Sequence, residues 1–157
     1  MANLDDYVAT MSACEDHEPP FSISHVFQAP RVKVWQAGTE RDHLIKGFGP
    51  KGLQMLQATL DLSVGGMFHY CMSQPNGMEM WGSWVFRTIS RPDRLEFVNS
   101  FSNFSGELMP APFQGLDDFP PEVLTSVTLV DHAGIGNGTL VTVEALPLHG
   151  TKAQRDF

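Results

Sequence analysis

Three β-strands joined by two tight turns are predicted for residues 67–101, MFHYCMSQPNGMEMWGSWVFRTISRPDRLEFVNSF. Turn-forming residues interrupt the apolar pattern at Pro75-Asn76-Gly77 and again at Arg91-Pro92-Asp93. Strands separated by such short turns pair with their neighbours along the chain in antiparallel fashion. We therefore expect strands over residues 67–73, 81–89 and 94–101 to lie side by side in one sheet.

The alternation of side chains within these strands predicts which face of the sheet is buried. Trp84 and Arg87 point to opposite faces, and arginine is rarely fully buried, so the tryptophan face is the inner one. This inner face is mainly aromatic and aliphatic, and it collects Leu56, Leu60, Phe68, Tyr70, Met72, Met80, Trp84, Phe86, Phe97, Asn99, Phe101, Val127 and Leu129.

Further elements are expected on both sides of this stretch. In chain order the patterns predict strand 21–28, helix 31–37, helix 40–45, strand 53–62, a proline-rich loop over 110–121, and a hairpin of strands 123–130 and 140–146. Thr39 is predicted to cap the second helix. Residues 1–20 carry five acidic side chains without apolar periodicity, so we interpret them as a flexible leader before a single domain over 21–157.

Composition limits the classes of function. The chain has 157 residues, 42% of them hydrophobic, which suits one globular domain. Its net charge of −8 disfavours nucleic acid and anionic membranes as partners. No apolar run reaches the length of a membrane helix, and the N-terminus does not resemble a secretory signal. Cys14 and Cys71 are interpreted as free thiols, so we expect a soluble, cytoplasmic protein.

Four motifs in order resemble a known family. They are APRVKVW at residues 29–35, FGPKG at 48–52, DLSVGG at 61–66 and PDRL at 92–95. With the strand spacing around them, over residues 21–146, the chain resembles the Bet v 1-like, START-related (SRPBCC) superfamily, and within it the bacterial homologues of the activator of heat-shock protein 90 ATPase. The resemblance implies an α+β helix-grip fold: a curved antiparallel sheet with two short helices and a C-terminal helix.

The chain departs from that family pattern in two places. Lys46-Gly47-Phe48 stands where the family commonly has two tryptophans, in a loop that borders the pocket mouth in relatives. The C-terminal helix is expected to begin near Thr151, whereas the sequence ends at Phe157. We expect either that this helix is truncated here or that a partner subunit fills its place, and a homodimer is one way to cover the inner face.

No catalytic or metal-binding constellation is visible in the sequence. The six histidines are scattered, with no two at ligand spacing on one element. Asp117-Asp118 and Glu79 fall in predicted loops or turns, where we expect their carboxylates to be solvated. A catalytic carboxylate needs burial and a partner, so we interpret these as ordinary surface charges. We therefore expect no catalytic residues, no metal and no cofactor. An enzyme acting on a pocket-bound aromatic, with Tyr70 or His69 as acid–base, is the least favoured alternative.

The inner face is the remaining candidate site. An apolar concavity with few polar groups is the usual plan of a small-molecule site, and the resemblance implies binding of a lipid-like or polycyclic ligand. Tyr70 and Asn99 are expected to anchor the ligand's polar end. Contact area is expected from Met72, Met80, Trp84, Phe86 and Phe101. Two alternatives stay open: these residues simply form the core under a helix, or the domain is a protein-interaction module related to chaperone ATPase activators.

Overall fold

The computed structural model describes residues 21–49, 51–112, 119–134 and 137–148. Two helices, α1 Arg31–Thr39 and α2 Arg41–Gly47, follow the first strand. The strands are β1 Phe21–Phe27, β2 Gln54–Leu60, β3 Met67–Ser73, β4 Glu79–Ser90, β5 Arg94–Ser102, β6 Leu108–Met109, β7 Glu122–His132 and β8 Gly138–Leu148.

All strand pairs in this part of the chain are antiparallel and belong to one sheet. The strand order is β1-β8-β7-β5-β4-β3-β2, and the short β6 pairs with β5 beside this path. The first strand therefore lies at one edge and β2 at the other. The hairpins β3-β4 and β4-β5 confirm the arrangement predicted from residues 67–101, and the α+β class is confirmed with them.

The register confirms the predicted inner face. Trp84 pairs with Phe68 on one side and with Asn99 on the other, so these three side chains share a face. Trp84 and Phe68 are buried, whereas Arg87 is exposed. The inner face carries the core because the bulky side chains of neighbouring strands meet there and exclude water from one another.

Leu56 was wrongly assigned to the inner face. A β-bulge between Met55 and Gln57 adds one residue to β2, which shifts the alternation of that strand. Met55 and Ala58 then oppose Met72 and Tyr70 on the inner face, while Leu56 is 49% exposed. Strict alternation predicted the wrong face because a bulge leaves no mark in the apolar pattern.

The two helices differ in their boundaries from the sequence prediction. Helix α1 continues through Gly38 to Thr39, and the Thr39 hydroxyl donates a hydrogen bond to the Trp35 carbonyl at 2.7 Å. Thr39 is therefore not the cap of the next helix; Glu40 occupies that position without a side-chain capping bond. Trp35 and Leu44 are buried and join the core of the inner face, and the partly buried Val34 and Ile45 pack against that core, so each helix contributes two apolar side chains to it.

Some predictions fall outside the described residues. They concern the leader at 1–20, Asp117-Asp118 in the proline-rich loop, and the helix expected near Thr151. Within the part that is described, no helix is long and apolar enough to cross a membrane.

Candidate functional site

An aromatic cluster forms the floor of the inner face. The rings of Trp84 and Phe97 stack with centroids 4.1 Å apart and an interplanar angle of 18°. Phe68 meets Trp84 edge to face at 5.0 Å and stacks on Tyr70 at 5.0 Å. Such pairs add directional attraction to the burial of apolar area. Three neighbouring strands, β3, β4 and β5, therefore present one continuous aromatic surface.

Tyr70 owes its position to the glycine opposite it. Gly82 is its cross-strand partner, and a Cβ atom at Gly82 would lie 2.9 Å from Cε2 of Tyr70 and closer still to its hydroxyl. Burial raises the pKa of Tyr70 to about 12 because the phenolate is disfavoured away from water. The Trp84 indole N–H opposes this increase, although it does not reach hydrogen-bonding geometry. Tyr70 is thus a neutral phenol at physiological pH.

Phe48 belongs to the same cluster, although it was not among the residues predicted for the inner face. It directly follows α2, and its ring meets Trp84 at 4.9 Å, Tyr70 at 5.1 Å and Phe68 at 5.9 Å, each edge to face. Gly49, at φ 110°, lies close to Met72, since a Cβ atom at Gly49 would be 2.8 Å from the Met72 Sδ atom. The sequence signal was the replacement of the family's tryptophans by Phe48, and the structure places that single ring over the aromatic floor.

Asn99 supplies the polar group of this face. It lies between Trp84 of β4 and Val123 of β7 and is partly exposed. Its side-chain amide makes no hydrogen bond with any described residue, and its polar atoms are not among the buried unpaired ones, so the amide is open to solvent. A carboxamide in this setting can donate to and accept from a bound molecule.

The seven predicted ligand-binding residues divide into two groups by exposure. Four of them are almost inaccessible: Tyr70, Met72, Trp84 and Phe86 are 5%, 2%, 7% and 1% exposed. The other three, Met80, Asn99 and Phe101, are partly exposed. They are neighbours on the inner face, because Phe101 pairs with Gly82, which is two residues from Met80 in β4, and Asn99 is two residues from Phe101 in β5. We call these three residues the open strip. Phe119 meets Phe101 at 5.6 Å from the end of the proline-rich loop, so the strip has a wall on that side.

Two clefts lie outside the inner face. One, of about 550 Å³, is bordered by Arg31, Asp93 and Asp131, where the arginine contacts both carboxylates. The other, of about 260 Å³, lies between Trp35 of α1 and Pro92. In the first cleft both arginines are already paired, Arg31 with Asp93 and Asp131, and Arg94 with Glu96. The second cleft is lined by Trp35, whose buried indole nitrogen makes no hydrogen bond within the described chain, but Trp35 is the single aromatic ring in that lining, whereas the inner face presents several rings in contact.

The two acid–base candidates of the enzyme alternative lie on opposite faces. His69 is adjacent to Tyr70 in β3, so it points away from the inner face. There its ring stacks on Trp81 at 5.0 Å, and its Nε2 atom lies 3.0 Å from the Asn103 carbonyl oxygen. His69 therefore cannot act on a molecule bound at the inner face. Within the described ranges no group of three histidine, cysteine or acidic residues is arranged to hold a metal.

Comparison with known protein families identifies a matching family model. The profile of the family described as "Activator of Hsp90 ATPase homolog 1-like protein" matches residues 28–156. No curated protein matches the chain.

Solved structures with the same architecture are numerous. A protein from Arthrobacter aurescens is 27% identical, with a TM-score of 0.69, over 90% of this chain and 76% of that one. A Nitrosomonas europaea protein is 24% identical, with a TM-score of 0.67, over 91% and 83%. A Mycobacterium smegmatis protein is 22% identical, with a TM-score of 0.67, over 90% and 81%. These likenesses bear out the helix-grip arrangement for the described sheet and helices.

Proposed function

Because the chain belongs to the family of activator of Hsp90 ATPase homolog 1-like proteins, we propose that its helix-grip domain binds a small hydrophobic ligand on the inner face. The ligand lies along the open strip of Met80, Asn99 and Phe101. The buried aromatic cluster beneath it supplies a rigid apolar floor, and binding is non-covalent.

The observation that carries this proposal is the environment of Asn99. A partly exposed amide without a described hydrogen-bond partner is set among Trp84, Phe101 and Val123. Desolvating an unpaired amide is unfavourable, and a ligand that covers it with a complementary polar atom removes that cost. The site therefore favours a ligand with an apolar body and one polar end.

The strip also indicates the shape of the apolar body. Phe101 offers a ring between the two ends of the strip, and Met80 offers a flexible thioether that adapts to different outlines. Tyr70, Met72, Trp84 and Phe86, also expected from the sequence to contact ligand, lie in the floor. In the proposed site they set its depth and stiffness, and Asn99 is the polar anchor.

The test measures binding of a fluorescent apolar anion, 1-anilinonaphthalene-8-sulfonate, to the full chain. We expect saturable binding by the wild type, and Asn99→Leu to weaken it about tenfold, because one hydrogen bond to a charged group is lost. Trp81→Ala is the matched control: it removes an indole from the same strand but from the outer face, so affinity stays within about twofold.

Three results would contradict the proposal. They are no saturable binding by the folded wild type, equal affinity in Asn99→Leu, or a loss of affinity in Trp81→Ala as large as that in Asn99→Leu. Native mass spectrometry of the purified chain adds an independent measurement, since a retained small molecule has a mass that is lost on denaturation. Asn99→Leu should retain less of that molecule than the wild type does.

A further inference from the structure

Strand β1 presents an open edge to solvent. It pairs with β8 on one side, and no described strand pairs with its other side. Alternate residues of an edge strand direct their N–H and C=O groups away from the sheet, where they can pair with another chain. The edge also carries apolar side chains, because Phe21, Ile23 and Phe27 are 66%, 56% and 44% exposed.

The opposite edge of the sheet is protected, whereas no described residue covers the free edge of β1. At β2, a bulge between Met55 and Gln57 disturbs the ladder, and Arg41 Nε donates to the Ala58 carbonyl oxygen at 2.8 Å. Bulges and side chains that cover the backbone are the usual means of preventing edge-to-edge association. Strand β1 has an unbroken register over seven residues and contains no lysine, proline or acidic residue.

We propose that β1 is a self-association edge, which pairs antiparallel with β1 of a second copy about a twofold axis at Ser24. A twofold axis perpendicular to the sheet keeps the inner faces of both copies on one side, so inner residues must oppose inner residues. Centring the axis on Ser24 satisfies this condition and pairs all seven residues. Phe21 then lies opposite Phe27 of the second copy, and Ile23 lies opposite His25.

The sequence of β1, FSISHVF, is suited to this register. An aromatic residue stands at each end, so two aromatic cross-strand pairs form for one twofold contact. Each copy has a net charge of −8, which opposes association in general. Close to the axis this repulsion is small, because Glu144 of β8 is the one acidic residue paired with β1. It lies beside Ser22 and therefore away from the second copy's Glu144.

The test places charges at the axis. Ser24 is exposed on the outer face, and its substitution removes one exposed hydrogen bond, of 2.9 Å to the Thr142 hydroxyl, so we expect the monomer to stay folded. We expect the wild type to dimerise in sedimentation velocity with increasing concentration. Ser24→Lys and Ser24→Glu should each raise the dimer dissociation constant more than about tenfold, because like charges then oppose each other. Mixing the two variants should restore a dimer, seen as a heterodimer in native mass spectrometry.

Gln57→Lys provides the matched control. It adds the same charge to an exposed position of β2, the other edge strand, and should leave the dimer unchanged. The proposal is overturned if the wild type stays monomeric up to about 1 mM, the range of weak association. It is also overturned if both Ser24 variants dimerise as the wild type does, or if their mixture fails to form the heterodimer. Circular dichroism of each variant distinguishes lost pairing from lost folding.

Discussion

The contact between Tyr70 and Gly82 predicts that Gly82→Ala destabilises the wild type but stabilises a variant that lacks the tyrosine ring. In the wild type, Gly82→Ala places a methyl group into the Tyr70 ring, with Cε2 2.9 Å away. The ring lies in a buried cluster and cannot turn aside freely, so we expect a loss of about 1–3 kcal/mol in the free energy of unfolding, as for other overpacked cores.

In a Tyr70→Leu background the same substitution should become favourable. Leucine lacks the ring atoms and the hydroxyl that meet the new methyl group, and Gly82 has no positive φ that an alanine would strain. Replacing a strand glycine by alanine then stabilises the fold by about 0.5–1 kcal/mol, because the unfolded chain loses freedom. The double-mutant cycle should therefore give a coupling of about 1.5–4 kcal/mol between the two positions.

Urea denaturation followed by tryptophan fluorescence measures all four proteins of this cycle. The m-values should agree among them, which licenses the comparison of free energies. The reasoning is refuted if Gly82→Ala changes stability equally in both backgrounds, because the cost would then have nothing to do with the tyrosine ring. A wild-type background stabilised by the substitution would refute it as well.

Three further predictions concern single side chains. The pKa of Tyr70 is about 12 in the folded state and about 10 when unfolded. The contribution of Tyr70 to the free energy of unfolding is therefore fully retained below pH 10, and about 2–3 kcal/mol is lost as the pH rises to 12. Urea denaturation across that range should show this loss in the wild type and not in Tyr70→Phe. Burial and the nearby Glu79 raise the pKa of the Cys71 thiol, and Cys71 is 1% exposed. We therefore expect Cys71 to react rapidly with a thiol reagent only after denaturation. Rapid reaction in the native state of a Cys14→Ser variant would contradict this. Leu56→Ala should change the free energy of unfolding by less than about 0.5 kcal/mol, whereas Phe68→Ala should lower it by about 3–5 kcal/mol. If thermal unfolding gave equal losses of stability for the two variants, the bulge that exposes Leu56 would be absent.

Most of the sheet could be predicted from the sequence because its strands are bounded by strong turns. Gly77 and Pro92 separate β3, β4 and β5 so clearly that their order and pairing follow directly. The face of Trp84 followed from the position of Arg87, since alternation holds in a regular strand. The boundary of α1 was less accessible, because Thr39 suits either a cap or a back-bond to Trp35, and tertiary packing favoured the second.

The candidate site was predicted in part. Tyr70 and Asn99 were placed on the inner face by alternation, and the structure finds both there. Their different exposures depend on neighbours in other strands: Gly82 makes room that the Tyr70 ring fills, while nothing in the described chain pairs with the Asn99 amide. The contribution of Phe48 could not be derived from periodicity, because a residue after a helix has no face until the tertiary fold directs it.

The pairing of β1 with β8 also has a consequence for synthesis on the ribosome. The hydroxyl of Thr139, at the start of β8, donates to the carbonyl of Ala29 at 2.7 Å, across 110 residues of chain. At ordinary translation speeds the nascent β1 waits roughly 5 to 20 s for this partner. The hairpins of β3, β4 and β5 form between neighbouring segments as soon as these leave the ribosome. Strand β1 is synthesised before them but pairs later, because its partner β8 is made last. Until β7 and β8 have been synthesised, β1 of a nascent chain must therefore be prevented from pairing with other chains.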